Sequence, residues 1–434
     1  MNKHMIKMAV LSLGVLTGIS CQHKSDAPNS RNNHNLSASE IQQLDTCRRQ
    51  LYDGSFRFWM PQNDTTYFDY FFTNAEKTKT DGRTLRILHY GDSQIEADRI
   101  TSQMRERMQQ LFGGEGPGLV PFKQTVPALT VKQSTDGKLV GQSTYGRKPF
   151  VRCEGNYGPM LRSWHMDGTA KLSLNTYKGR YVPERVRNFS HVRILLHNLN
   201  TPTKMQLSAA DSINSYICKQ SGVQLYDFGK GEQTESIEMS LQGKSDIYGL
   251  LLDGEYGVAV DNIAMRGSAG TQFTMVDSLQ LAQAYKMMDV GMILLQFGGN
   301  AMPGLTNQSQ IAHYCKRIGA QIDYLHSVCP KAAIMFVGPA DMGVKNGGNM
   351  TSHPMIAALD ENLRDTALAH GAAYWSVYQA MGGDGSMARW VEQGLANKDY
   401  IHLSHKGAAM MGDILADALE RQYQFYRLRN GIKS

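Results

Sequence analysis

A serine, an aspartate and a histidine, far apart in the chain, carry the strongest chemical signal. Ser93 ends the block His-Tyr-Gly-Asp-Ser at 89–93, and Asp399 and His402 lie together in Asp-Tyr-Ile-His at 399–402. A serine hydroxyl is a weak nucleophile until a base takes its proton. An imidazole can take it, and a carboxylate beside the ring fixes the tautomer and steadies the imidazolium that forms. The three-residue spacing lets Asp399 sit beside His402 on one turn. Attack on an ester carbonyl also puts negative charge on oxygen, and donors placed where that charge develops are often the largest catalytic contribution. Three candidates are present. They are the Ser93 backbone amide, a backbone amide in the stretch Arg266-Gly267-Ser268-Ala269-Gly270, and the side-chain amide of Asn300 in Phe-Gly-Gly-Asn at 297–300. Together these are the parts of a serine esterase site.

The elements that must position them follow from periodicity. Residues 84–90 form an apolar run that reads as a buried strand, broken by Gly91-Asp92. From 94 to 111 apolar residues recur at Ile100, Met104, Met108 and Leu111, which is helical spacing. This places Ser93 at a strand-to-helix turn, with its amide at a helix N-terminus. Between about 125 and 255 long helical patterns give way to short alternating runs, such as Val192, Ile194 and Leu196, punctuated by turn residues. That texture predicts an all-β sandwich. Strand and helix then alternate again: strands at 258–265, 292–297, 332–337 and 372–375, helices at 271–288, 308–327, 355–370 and from 405 to about 427. Such alternation predicts a parallel sheet covered on both faces, with function at the carboxyl ends of its strands.

The bulk composition narrows the class. The chain has 434 residues, 41% hydrophobic and 19% charged, with a net charge of +6. That is ordinary for a globular protein long enough for two domains. The charge is spread out, with no Lys/Arg run dense enough for nucleic acid. Lys3 and Lys7 precede an apolar stretch at 8–19, too short to span a bilayer, and small residues Gly18 and Ser20 precede Cys21. The polar stretch that follows, from Gln22 to about Ser39, has too little apolar surface to fold alone. Cys153 and Cys218 fall in the same middle region, and a disulfide between them is left open. Cys315 and Cys329 lie about 21 Å apart along one predicted helix, too far to pair with each other; with Cys47 they read as small packed hydrophobes.

The blocks Gly91-Asp92-Ser93, the glycine turn ending at Gly270, Gly298-Gly299-Asn300 and Asp399–His402 resemble the four blocks of the SGNH (GDSL-type) hydrolases. The resemblance covers roughly 84–120 and 255–425. It implies Ser93 as nucleophile, His402 and Asp399 as base and acid, and Ser93, Gly270 and Asn300 as oxyanion donors. It implies a three-layer α/β sandwich with a parallel sheet. Gln94 departs from the leucine that names the GDSL subgroup. The β-rich interruption is similar to the arrangement in peptidoglycan O-acetylesterases, where a carbohydrate-binding-module-like, jelly-roll-like domain divides the esterase core. The expected organisation is a signal peptide at 1–20, a tether at 21–45, core at 46–125, inserted β-domain at 126–254 and core at 255–434. The segment ending at Cys21 looks like a bacterial lipoprotein signal, which implies acylation of Cys21 and an exported outer-membrane lipoprotein facing the periplasm or the cell surface; Gly18 departs from the leucine usual three positions before that cysteine, and ordinary secretory cleavage is the alternative.

The expected activity is removal of O-acetyl groups from a cell-wall polysaccharide, most of all peptidoglycan, without cofactor. Action on plant or host glycans, acyl transfer between sugars, and a non-catalytic surface glycan-binding lipoprotein are the alternatives. His402 with His405 lacks the acidic or cysteine partners of a zinc site, so no metal is expected. His89 is expected to be a packed histidine. Tyr157, Trp164 and Tyr226 of the insertion are expected to serve the core before they serve a sugar.

Overall fold

The computed structural model describes residues 57–432 apart from 147–149, 180–181 and 210–211, together with Ser39 and Gln42. The signal segment 1–20, Cys21, Cys47 and nearly all of the tether 21–45 lie outside the described residues. In chain order the regular elements begin with α1 (Asp69–Asp81), β1 (Thr84–Gly91) and α2 (Thr101–Phe112). Then come β2 (Gly118–Val120), β3 (Val131–Ser143), β4 (Arg162–Thr176), β5 (Phe189–Asn198), β6 (Thr203–Ala209), β7 (Ser212–Cys218), β8 (Gly222–Thr234), β9 (Ser236–Asp253) and β10 (Gly257–Ala264). The rest are α3 (Ser278–Met288), β11 (Val290–Gln296), α4 (Gln308–Val328), β12 (Ala333–Val337), β13 (Gly343–Asn346), β14 (Asn349–Ser352), α5 (Ile356–Ala369), β15 (Ala373–Trp375), α6 (Val377–Met381), α7 (Ser386–Glu392) and α8 (His405–Arg429).

Five strands form a parallel sheet in the order β10-β1-β11-β12-β15. Alternate residues of each strand feed two different cores, because successive side chains point to opposite faces. Ile293 and Leu295 of β11 pack with Leu281, Ile318 and Leu363 of α3, α4 and α5. Met292 and Leu294 pack with Phe72, Met104 and Leu415 of α1, α2 and α8. The result is the three-layer α/β sandwich, and it explains why these strands read as unbroken apolar runs.

The second sheet is antiparallel and has its own core, with Met166, Leu172, Ile194, Met239 and Leu250 among its members. Its organiser is β9, 18 residues long. The first part of β9 lies between β4 and β6, and the last part between β2 and β5. β2 falls within the stretch 46–125, so this sheet draws in chain ahead of residue 126. Cys153 and Cys218 are both free thiols, so no bridge joins them; Cys315 and Cys329 are likewise free.

The turn that follows β1 differs from the expectation. The helix expected from residue 94 begins at Thr101, after a short 3-10 turn at Glu96–Asp98. Ala97 and Asp98 take left-handed φ values of 61° and 63°, which no α-helix accommodates. They are held there by contacts from outside the turn. Leu129 N–H donates to Ala97 O at 3.1 Å. The buried Asp98 carboxylate is gripped by Arg105 at 2.7 and 3.0 Å and by the Thr130 hydroxyl at 2.8 Å. The Ser93 amide therefore sits in a turn, not at a helix N-terminus, and draws nothing from a helix dipole.

A buried ion cluster welds the two sheets. Arg86 on β1 is fully buried and reaches Asp261 of β10 at 2.9 and 3.0 Å and also Asp253 at the end of β9. Asp261 accepts the Leu119 N–H of β2 at 2.7 Å, and Asp253 accepts from Arg193 of β5 at 2.8 Å.

Candidate active site

Strand order brings the blocks together. β1 lies between β10 and β11, and Gly91 is level with both Ala264 and Gln296. The three strands thus end side by side. Ser93 follows β1, the turn 266–270 follows β10, and Gly298–Asn300 follow β11. Two glycines make the packing possible. A Cβ on Gly270 (φ +75°) would lie 2.6 Å from the Phe297 ring, and one on Gly298 (φ +127°) would lie 3.0 Å from Pro339. Both positions need the freedom of glycine.

The loop before α8 supplies the other half. Ser93 Oγ lies 2.8 Å from His402 Nε2, and His402 Nδ1 lies 2.8 Å from Asp399 Oδ2. Asp399 Oδ1 accepts the backbone N–H groups of Ile401 at 2.9 Å and His402 at 3.0 Å. Burial alone would raise the Asp399 carboxyl. The hydrogen bonds from the His402 backbone and ring and from Ile401 outweigh it and hold the carboxyl below its ordinary value. An ionised Asp399 makes His402 Nδ1 the protonated nitrogen and leaves Nε2 free to accept from the serine.

The donor groups are placed but occupied. Asn300 Nδ2 donates to Asp92 Oδ2 and to the Ser268 carbonyl, both at 3.1 Å. Gly270 N–H donates to Ser268 Oγ at 3.0 Å. An incoming oxyanion would exchange with these acceptors. The Ser93, Asp399 and His402 side chains form one chain of contacts, whereas Gly270 and Asn300 meet around Ser268.

Four surrounding residues were given no site role from the sequence, or only a packing role. Asp92 is 3% exposed and accepts the Gln94 N–H at 2.9 Å. Burial pushes its carboxyl up to about 6, against the pull of Gln94, His402, Asn300 and Arg99. Gln94 and Arg99 both reach the His402 loop, and only the departure of Gln94 from leucine hinted at this. His89 is packed as expected, between Gln296 Oε1 and Thr101 Oγ1 at 3.0 Å each, and burial lowers its pKa to about 4. Tyr157 is buried and bonded to Cys153, and Tyr226 packs against the β core. Among the described residues no group of three or more His, Cys, Asp or Glu could hold a metal.

The elevated Asp92 carboxyl has a consequence for stability. Its folded value of about 6 exceeds the unfolded 3.8, so the folded state prefers the protonated form. That stabilising share is complete below the unfolded value and is lost as pH rises through about 6. It amounts to at most about 3 kcal/mol. Asp92→Asn is expected to remove this slope. Urea denaturation of both proteins at about pH 4 and about pH 7.5 checks it, and the advantage of wild type over variant should shrink on going up in pH. Parallel pH dependences would contradict the assignment.

No family model matches the sequence, and no curated protein matches it. Solved structures do match. One described as a peptidoglycan O-acetylesterase in action superposes with a TM-score of 0.66 at 20% identity, over 85% of this chain and 99% of that chain. A family two carbohydrate esterase from Cellvibrio japonicus matches far more loosely, with a TM-score of 0.27 at 11% identity, over 68% of this chain and 99% of that chain. A carbohydrate acetylesterase from Sinorhizobium meliloti has a TM-score of 0.27 at 12% identity, over 38% of this chain and 78% of that chain. The first superposition runs through both sheets of the molecule described above. The chain thus has the SGNH-hydrolase fold, interrupted by an antiparallel β unit.

Proposed function

We propose that this chain is a serine esterase that removes O-acetyl groups from a cell-wall polysaccharide, with peptidoglycan as the glycan. One observation carries the ester chemistry: Ser93 Oγ, the two ring nitrogens of His402 and Asp399 Oδ2 form an unbroken hydrogen-bonded chain, each link 2.8 Å. His402 Nε2 takes the Ser93 proton as Oγ bonds to the acetyl carbon. The carbonyl oxygen becomes an oxyanion, met by Asn300 Nδ2 and by the Ser93 and Gly270 amides. His402 then returns the proton to the sugar oxygen, the C–O bond to the sugar breaks, and acetyl-Ser93 remains. Water, deprotonated by His402, attacks next. Acetate leaves as the proton goes back to Ser93 Oγ.

Two features support hydrolysis of a polymer. The His402 and Asp399 side chains are 35% and 45% exposed, which gives water access where acyl transfer would need a dry site. A cleft of about 350 Å³ opens between the core and the β unit, and Glu96, Ala97 and Arg266 line it a few residues from the Ser93 and Gly270 turns. Arg162 and the mostly buried Trp164 of the β core also line it, and the Arg162 guanidinium stacks 4.1 Å above the Phe150 ring. An aromatic and guanidinium wall of this kind suits a sugar chain with carboxylate substituents. The choice of peptidoglycan leans on the likeness in fold to the solved peptidoglycan O-acetylesterase. Export, and anchoring to the outer membrane through acylated Cys21, belong to the same proposal and rest on the segment before Cys21.

The test is acetate release by the chain from residue 22 onward, on acetylated peptidoglycan and acetylated xylan in parallel. The expected result is a kcat/KM at least about tenfold higher on peptidoglycan, a discrimination of about 1.4 kcal/mol. Preference for xylan would move the assignment to glycan degradation. Release from neither would remove the carbohydrate reading.

A further inference from the structure

We propose that Gln94 and Arg99 are positioning residues that hold the His402 loop in register with Ser93. The inference rests on the esterase reading and adds the parts that set its geometry. Gln94 Nε2 donates to the Ile401 carbonyl at 2.7 Å, and Gln94 Oε1 accepts the Leu403 N–H at 3.3 Å. These two backbone groups stand on either side of His402, so one carboxamide brackets the base. The pairing demands a donor and an acceptor on one planar group. Leucine offers neither, an ionised glutamate only accepts, and lysine only donates. The residue that departs from the GDSL pattern is the one that makes the clamp.

Arg99 adds the second tie. Its Nη2 donates to the carbonyl of Ser93 itself at 2.5 Å, its Nη1 to the Leu403 carbonyl at 3.2 Å, and its Nε to the Glu96 carbonyl at 2.9 Å. One guanidinium therefore links the nucleophile's own peptide to the loop of the base. Backbone bonds from Asn397 N–H to the His402 carbonyl and from Gly343 N–H to the Tyr400 carbonyl, each 2.8 Å, also hold the loop, but neither ties it to the Ser93 turn. The loop belongs to no helix or long strand between α7 and α8, and Tyr400 within it takes a left-handed φ of 57°. The Asp399 carboxylate that orients the ring is nearly half exposed. A displacement of about 1 Å at a reacting pair can cost about 100-fold in rate. Neither Gln94 nor Arg99 bonds to the serine hydroxyl or the imidazole, so both act through the backbone.

The experiment compares wild type with Gln94→Met, which keeps the length and loses both hydrogen bonds, and Gln94→Glu, which keeps the acceptor. Arg99→Lys, which keeps the charge and loses the fork, is the second site. Hydrolysis of a small acetyl ester gives kcat and KM, thermal unfolding reports the fold, and proton NMR reads the low-field His402 Nδ1–H signal. Gln94→Met is expected to lower kcat by about 10- to 100-fold with KM within about twofold, and to weaken or abolish the Nδ1–H signal in a folded protein. Arg99→Lys should move the same way. For Gln94→Glu, protonation restores the donor, so its rate relative to wild type should rise about fivefold as pH falls from about 8 to about 5.5, while the Met ratio stays flat.

Wild-type kcat and an intact Nδ1–H signal in a folded Gln94→Met would overturn the proposal. So would a raised KM at unchanged kcat, which would make Gln94 a substrate contact. If wild type hydrolyses no ester yet its Nδ1–H signal is lost in Gln94→Met, the esterase reading fails and the positioning role stands.

Discussion

Ser93→Ala is expected to lower kcat/KM for acetate release by about 10⁴- to 10⁶-fold, with the fold and the melting temperature almost unchanged. The size of the loss follows from the division of labour at the site. In the proposed mechanism Ser93 Oγ displaces the sugar oxygen from the acetyl carbon, and without it His402 can at best activate a water with no covalent intermediate. The small structural effect follows from the setting. Ser93 is half-buried, and its hydroxyl is bonded to His402, a side chain that water can reach once the partner is gone. Steady-state acetate release with a melting curve beside it gives both numbers. Activity retained within about tenfold would mean that the hydroxyl is not the nucleophile.

Arg86→Met is expected to destabilise the protein by about 3–5 kcal/mol while leaving the site residues in place. Arg86 is 0% exposed, and its two carboxylate partners, Asp253 and Asp261, are 1% and 0% exposed at their side chains. Removing the guanidinium leaves two buried negative charges, of which, among the described residues, only Asp253 keeps another cation, Arg193. Burying an unpaired charge is far costlier than burying the pair. Adding Asp261→Asn to Arg86→Met should recover part of the loss, because the charge left unpaired at β10 is then gone. Denaturant midpoints for the wild type, both single variants and the double variant measure the coupling. Additive effects would show that the cluster does not act as a unit. Because it joins β1 and β10 to β2, β5 and β9, its loss should loosen the two sheets together.

Much of this architecture is written in local pattern. The strands at 84–91, 290–296 and 333–337 are buried on both faces, so their apolar runs are continuous and visible. The helices Gln308–Val328 and His405–Arg429 are long enough for their periodicity to show. Ser93, Asp399 and His402 could be picked out as candidates because few residue types can form a hydroxyl–imidazole–carboxylate chain. The start of α2 could not be read, because the left-handed turn at Ala97 and Asp98 is held by Leu129 and Thr130 from outside the local segment, together with Arg105 of α2 itself. The same holds for the clamp made by Gln94. Its partners are backbone groups more than three hundred positions away, and a backbone carbonyl has no sequence signature. The hairpin of β13 and β14 escaped notice because both strands are four residues long and neither has a buried residue, so no apolar period marks them. The occupied state of Asn300 and Gly270 depends on the Ser268 hydroxyl and carbonyl, which only coordinates reveal.

Trapping the covalent intermediate interrogates the site most directly. The protein is mixed with an acetyl ester, quenched in acid within the first turnovers, digested and weighed by mass spectrometry. An acetyl group is expected on the peptide that carries Ser93, absent in Ser93→Ala and accumulating when His402→Ala blocks its hydrolysis after slow loading by an activated ester. Acetate released at full rate with no acetyl group at Ser93, or with the label on another residue, would contradict the proposed mechanism.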